Sequence, residues 1–128
     1  MEFLGLALVL LIPLIYLMVF ASQVQAAAFA AVAAADQAAK VVVGGTDGSA
    51  GAQAHNTVRL TLEDYGITAD RYEVSLVCSA QDCTQMQPGE VVEARVDVRV
   101  PLPLTPHAWA DSAPVTVGSE ARARVPRF

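Results

Sequence analysis

"MEFLGLALVLLIPLIYLMVFASQVQAAAFAAVAAADQAAKVVV" (residues 1–43) decides the fold of this 128-residue chain. No charged residue occurs from Phe3 to Ala21, a run of 19 residues. At about 1.5 Å rise per residue, a helix of that length covers roughly the ~30 Å hydrocarbon core of a bilayer. Pro13 lies inside the run. It would break a soluble helix, but membrane helices tolerate proline because neighbouring groups satisfy the freed backbone. Residues 22–43 hold no Gly or Pro and are rich in alanine, the strongest helix former. Val24, Ala28, Val32, Ala35, Ala39 and Val42 fall on one helical stripe, and Gln25, Phe29, Ala33, Asp36 and Lys40 on another. Asp36 and Lys40 stand four apart with the acid first, the favourable order. The two halves read as one helix from about residue 2 to 43, half in lipid and half out. Its many alanines permit close backbone approach by other helices.

The competing reading of the N-terminus is a cleavable signal peptide, with "VQA" at Val24–Ala26 as the small-residue site. Two features favour a retained anchor. Glu2 precedes the apolar run where a signal carries Lys or Arg, and the run exceeds the usual 7–15-residue apolar region.

Charge and cysteine content narrow the function classes. The net charge is −5, and all eight basic residues lie at or beyond Lys40, interspersed with acids. Nucleic-acid binding needs a basic face, so it is not expected. Arg122, Arg124 and Arg127 read as a solvated strand face. The only cysteines are Cys78 and Cys83. A structural zinc site needs four ligands, and His55 and His107 are distant in sequence. The spacing C-x4-C also differs from the redox C-x-x-C. A disulfide closing a small loop is the simplest use and implies an oxidising compartment; two buried free thiols are the alternative.

Beyond residue 43, "GGTDGSAG" (residues 44–51) breaks the chain. It lacks the G-x-x-x-x-G-K-[ST] pattern of a phosphate loop and reads as a turn. Residues 49–65 predict a second helix with Ala54, Val58, Leu62 and Tyr65 on its apolar stripe and Gly66 as its stop, although "TVRLTL" also alternates as a strand does. "RYEVSLVCS" (71–79) and "VVEARVDVRV" (91–100) alternate as half-buried strands, and residues 115–125 share the same parity. Pro88-Gly89 marks a turn and "PLPLTP" (101–106) a loop. The expected fold class is therefore α+β. A long N-terminal helix has a membrane half (residues 1–22) and an alanine-rich stalk (23–43). It carries a small domain (44–128) with a three-stranded antiparallel sheet packed on the helices. A domain of about 85 residues buries a modest core and often needs a staple or a partner.

No catalytic constellation emerges. Glu63 and Asp64 are adjacent and diverge on a helix, whereas acid–base carboxylates must converge across a cleft. Ser75 and Ser79 lack a G-x-S-x-G context. No enzyme activity, cofactor, metal or small-molecule substrate is expected. Trp109, in a proline-rich stretch, reads either as an aromatic partner anchor or as a cover for the small core.

An acidic residue at the head of an uncharged helix, its alanine-rich continuation and a small α+β domain with one cysteine pair together resemble a type IV pilin or pseudopilin. More narrowly, "EFLGLALVLLIPLIYL" from Glu2, "VQAAAFAAVAAADQAAKVVV" and the ending "VPRF" (125–128) resemble the TadE-like proteins of the tight-adherence (Tad/Flp) pilus in high-GC Gram-positive bacteria. The resemblance equates Glu2 with the glutamate near the mature N-terminus of prepilin-like helices. It implies an assembly interface on the helix at Glu2, Gly5 and Pro13. In that family a short basic leader precedes the glutamate; with such a leader, the basic charge missing ahead of Glu2 would lie upstream of Met1.

The resemblance implies a single-pass membrane protein with its C-terminal domain outside, associated with a surface pilus. Its partners would be other pilin-like subunits, the Tad membrane assembly proteins and lipid. Simple positive-inside counting would place the Arg-bearing domain in the cytoplasm, but that rule weakens for larger translocated domains and a disulfide requires the outside. The alternative is a membrane-tethered extracytoplasmic binding domain unrelated to pili.

Overall fold

The computed structural model describes residues 1–45, 47–79, 82–106 and 115–127. Its first element is one uninterrupted helix, α1 (Glu2–Gly44), of 43 residues, about 65 Å long at 1.5 Å per residue. Pro13 lies within it without ending it. Alanine propensity sustains the second half, and the Asp36–Lys40 ion pair closes at 2.6 Å on its outer side. The helix ends where Gly45 takes extended backbone while its N–H still bonds the Val41 carbonyl at 3.0 Å.

The two halves of α1 differ in what surrounds them. From Met1 to Ile15 every side chain is exposed. From Ala27 onward one face is buried: Ala27, Ala30, Ala31, Ala34, Ala35, Ala38, Ala39 and Val42. These recur every three or four residues, as one face of a helix does. Of the first stripe named from the sequence, Ala35, Ala39 and Val42 are buried, but Val32 is exposed and Ala28 only half-buried. The physical reason is size. A face made almost wholly of methyl groups lets the domain approach the helix backbone, and branched Val32 would hold it off.

A short turn leads to α2 (Ala50–Asp64), which packs on α1 through Ala50, Ala54, Val58 and Leu62. Tyr65 was expected on the same stripe, yet it is exposed. Gly66, at φ +74°, stops the helix there. The Ile67 N–H returns to Leu62 O (3.0 Å) and the Gly66 N–H to Glu63 O (2.9 Å), a Schellman closure. Ile67 is thereby buried in place of Tyr65.

After a single 3-10 turn (Ala69–Arg71) come β1 (Tyr72–Cys78), β2 (Val91–Val100) and β3 (Val115–Arg124). They form an antiparallel sheet in the order β1-β2-β3. Tyr72 stands opposite Val98, and Val96 opposite Ser119. Period-two alternation in β2 sends Val92, Ala94, Val96, Val98 and Val100 into the core, all buried. Each buried valine contributes about 1.5–3 kcal/mol relative to exposure. The opposite face carries the charges: Arg122 reaches Glu93 across the strands at 2.8 Å and Glu120 along its own strand at 3.0 Å.

The architecture is thus two layers, α1 and α2 on one face of a three-stranded sheet, with α1 running against β2 and β3. The loop after β1 is held by a Cys78–Cys83 disulfide whose Cα atoms lie 5.6 Å apart. Further on, Pro88-Gly89 makes the predicted turn, with Gly89 at φ +92°.

Candidate functional site

Among the described residues, the first half of α1 is the most extensive unpartnered apolar surface. Phe3, Leu4, Leu6, Leu8, Leu10 and their neighbours point outward on every side of the helix. This segment is long and apolar enough to be a candidate membrane span, and none of its most apolar stretch is buried within the chain. In water such a surface would far exceed the few hundred Å² that a soluble monomer exposes.

The three helix residues singled out from the sequence occupy this half. Glu2 stands in the first turn, exposed, where a carboxylate complements the positive end of the helix dipole. Gly5 has open space around the position a Cβ would fill, so it is a notch in the helix surface. Pro13 has no N–H to offer the Val9 carbonyl four residues back, which frees one acceptor in mid-span.

Counting at 3.6 residues per turn, Glu2, Pro13, Phe20, Ala27, Ala31 and Ala38 fall on one line along α1. Glu2 and Pro13 therefore share the side on which the domain is mounted. The opposite line runs through Leu11, Met18, Gln25, Phe29, Val32 and Asp36. On it, Phe29 is 69% and Val32 55% exposed, so an apolar pair continues outward from the candidate span on the stalk's free face. The sequence separates Phe29 and Val32 onto two stripes without fixing which faces the core, and both are exposed.

Cys78 and Cys83 are joined, as the spacing suggested. Trp109 and His107 lie outside the described residues. Glu63 faces Arg59 on α2 at 3.0 Å and Asp64 ends the same helix, so the two carboxylates do not converge on a cleft. His55 is exposed on α2. No group of three His, Cys, Asp or Glu is placed to hold a metal among the described residues.

Electrostatics on the domain are those of a solvated surface. The hydrogen bond from Arg95 to Asp97 raises the Arg95 pKa, and the Glu93 carboxylate raises that of Arg122. Thr68 and Thr84 donate to Asp70 and Asp82 and hold those carboxyls below the usual range. Comparison with family models, curated proteins and solved structures finds no match for this chain.

Proposed function

We propose that this chain is a membrane-anchored, pilin-like component that takes part in assembly of a Tad-type pilus through helix–helix contacts. The observation that carries the reading is the continuity of α1. The same 43-residue helix that offers the candidate span also forms the floor of the domain core. A domain that only needed tethering could hang from a flexible linker. Here the domain is bolted to the helix through eight buried positions, which suits a subunit whose orientation relative to its anchor must be fixed.

In this reading the C-terminal domain lies outside the cytoplasmic membrane, where the Cys78–Cys83 bond persists. The protein acts by packing rather than catalysis. Subunits associate along the α1 surface, where Gly5 admits a close neighbour and the Phe29–Val32 face extends the contact beyond the lipid. Glu2 stands in the first turn, at the end of the span, where a charge costs less than the roughly 2.5–3.5 kcal/mol that insertion scales give for the helix centre. No Lys or Arg lies between Glu2 and Lys40, so within the span its cation would come from a neighbouring chain. Such a pair sets axial register between subunits more than it adds stability.

A photo-cross-linker placed at Phe29 in the native host tests the reading. Cross-links to another pilin-like chain or to a Tad assembly protein support it. A monomeric, uncross-linked protein in piliated cells favours the tethered binding domain instead.

A further inference from the structure

The chain direction brings several loops to one end of the domain. α2 runs back along α1, so its C-terminus and the β2 exit both lie beside the start of the stalk. There a cleft of about 300 Å³ opens between Gln23 and Ala27 of α1, Tyr65 and Ile67 after α2, Arg71, and Pro101 after β2. Its height along the helix is informative. Residues 23–27 lie about 3–9 Å beyond Ala21, the last residue before the polar Ser22 and Gln23. Headgroup layers occupy roughly 5–7 Å on each side of the hydrocarbon core. If α1 spans the membrane, the cleft lies at headgroup level.

The cleft has the chemistry for that level. Arg71 Nε is buried and lacks a hydrogen-bond partner among the described residues. The adjacent Asp70 carboxylate accepts from the Thr68 hydroxyl at 2.5 Å and also feels the charges of Arg71 and Arg99. Arg99, on the charged outer face of the sheet with Glu73 and Asp97, donates to the Asp70 carbonyl at 2.8 Å and does not line the cleft. The guanidinium fork matches phosphate oxygens, and Arg presents only donors. Beside the cleft, Leu104 is 95% exposed and held at φ +61°, a conformation uncommon for a non-glycine residue. Tyr65 at the rim is half exposed, as aromatic side chains at a membrane interface are.

We propose that this cleft takes the phosphate of an anionic phospholipid headgroup on Arg71, with Leu104 inserted beside it into the edge of the bilayer. The contact would fix the domain's height and rotation on the membrane surface. The inference rests on the anchor reading given above, and it adds a lipid ligand and a residue to bind it.

The test uses the full chain in nanodiscs, with Leu104→Cys carrying an environment-sensitive fluorophore; Cys78 and Cys83 are bonded and do not compete for the label. Nitroxide lipids quench near the headgroups. Quenching should be stronger in phosphatidylcholine discs containing phosphatidylglycerol than in phosphatidylcholine alone. Arg71→Gln should raise the phosphatidylglycerol fraction needed for half-maximal quenching about fivefold, the effect of one basic residue at such a surface, and Arg71→Lys should recover part of it. Equal quenching in both lipids, or in wild type and Arg71→Gln, overturns the proposal. So does an Arg71-dependent thermal shift caused by inorganic phosphate in maltoside micelles without a lipid effect, which would make the ligand free phosphate. If Arg71→Gln does not fold, the lipid comparison on the otherwise wild-type chain still decides. Co-elution of the chain with the discs after alkaline carbonate treatment reports the anchor separately. Loss of co-elution overturns the anchor, and retention with unchanged quenching overturns only the lipid site.

Discussion

Thr61 of α2 donates a hydrogen bond of 3.0 Å to Gln37 Oε1 of α1, joining residues 24 apart in the chain. The bond lies at the exposed edge of a seam whose interior is almost entirely alanine and valine. The seam's tightness should therefore depend on side-chain size more than on this bond. Ala38→Leu is expected to destabilise the fold by about 1–3 kcal/mol through overpacking. Phe29→Ala, on the free face, should stay within about 0.5 kcal/mol. Denaturant unfolding in detergent checks both; an Ala38→Leu variant as stable as the parent would contradict the packing described.

A second test concerns the pair Asp97 and Gly118, which face each other across β2 and β3. A Cβ on Gly118 would collide with the Asp97 carboxylate, whose other oxygen is held by Arg95 Nε at 3.0 Å. Gly118→Ala should force the carboxylate away and cost less than about 1 kcal/mol, the worth of an exposed pair. In an Asp97→Ala background the same change should stabilise by about 0.4–1 kcal/mol, because alanine lowers unfolded-chain entropy. A double-mutant cycle showing no reversal of sign would refute the contact.

The Cys78–Cys83 bond closes a loop with a sequence separation of only 5. Its removal by paired serine substitution should cost less than the ~3 kcal/mol of a 15-residue loop and leave helix content unchanged by circular dichroism. Protein from the native host should resist alkylation until it is reduced.

Acid should affect the same loop late. Asp82 accepts hydrogen bonds from Thr84, including its backbone N–H at 3.1 Å, and its pKa is lowered as a result. A lowered folded pKa means that the stabilising contribution is complete above the ordinary aspartate value and is lost as pH falls through the lowered one. Carboxyl NMR should show Asp82 titrating below an unstructured aspartate, and Thr84→Ala should bring it back up.

Much of this fold was legible in the chain because alternation and helical spacing are local signals. The β2 boundaries, Val91–Val100, coincide with the quoted alternating run, and α1 extends one residue beyond its expected end. What local pattern did not resolve was rotation about an alanine-rich helix. With small side chains on nearly every side, hydropathy does not distinguish the faces, so neither stripe could be assigned to the core from the sequence. Tyr65 was misplaced because the positive φ at Gly66 ended the helical period one residue earlier. The cleft around Arg71 was not legible at all. It is assembled from α1, the end of α2 and the β2 exit, which only the tertiary fold brings together.

The most direct test of the pilin-like account is the Glu2→Leu substitution in the native host. The account predicts normal membrane insertion, loss of pilus assembly and loss of the Phe29 cross-link to neighbouring subunits, with Glu2→Asp intermediate. Normal piliation together with an undiminished cross-link in the Glu2→Leu strain would contradict it.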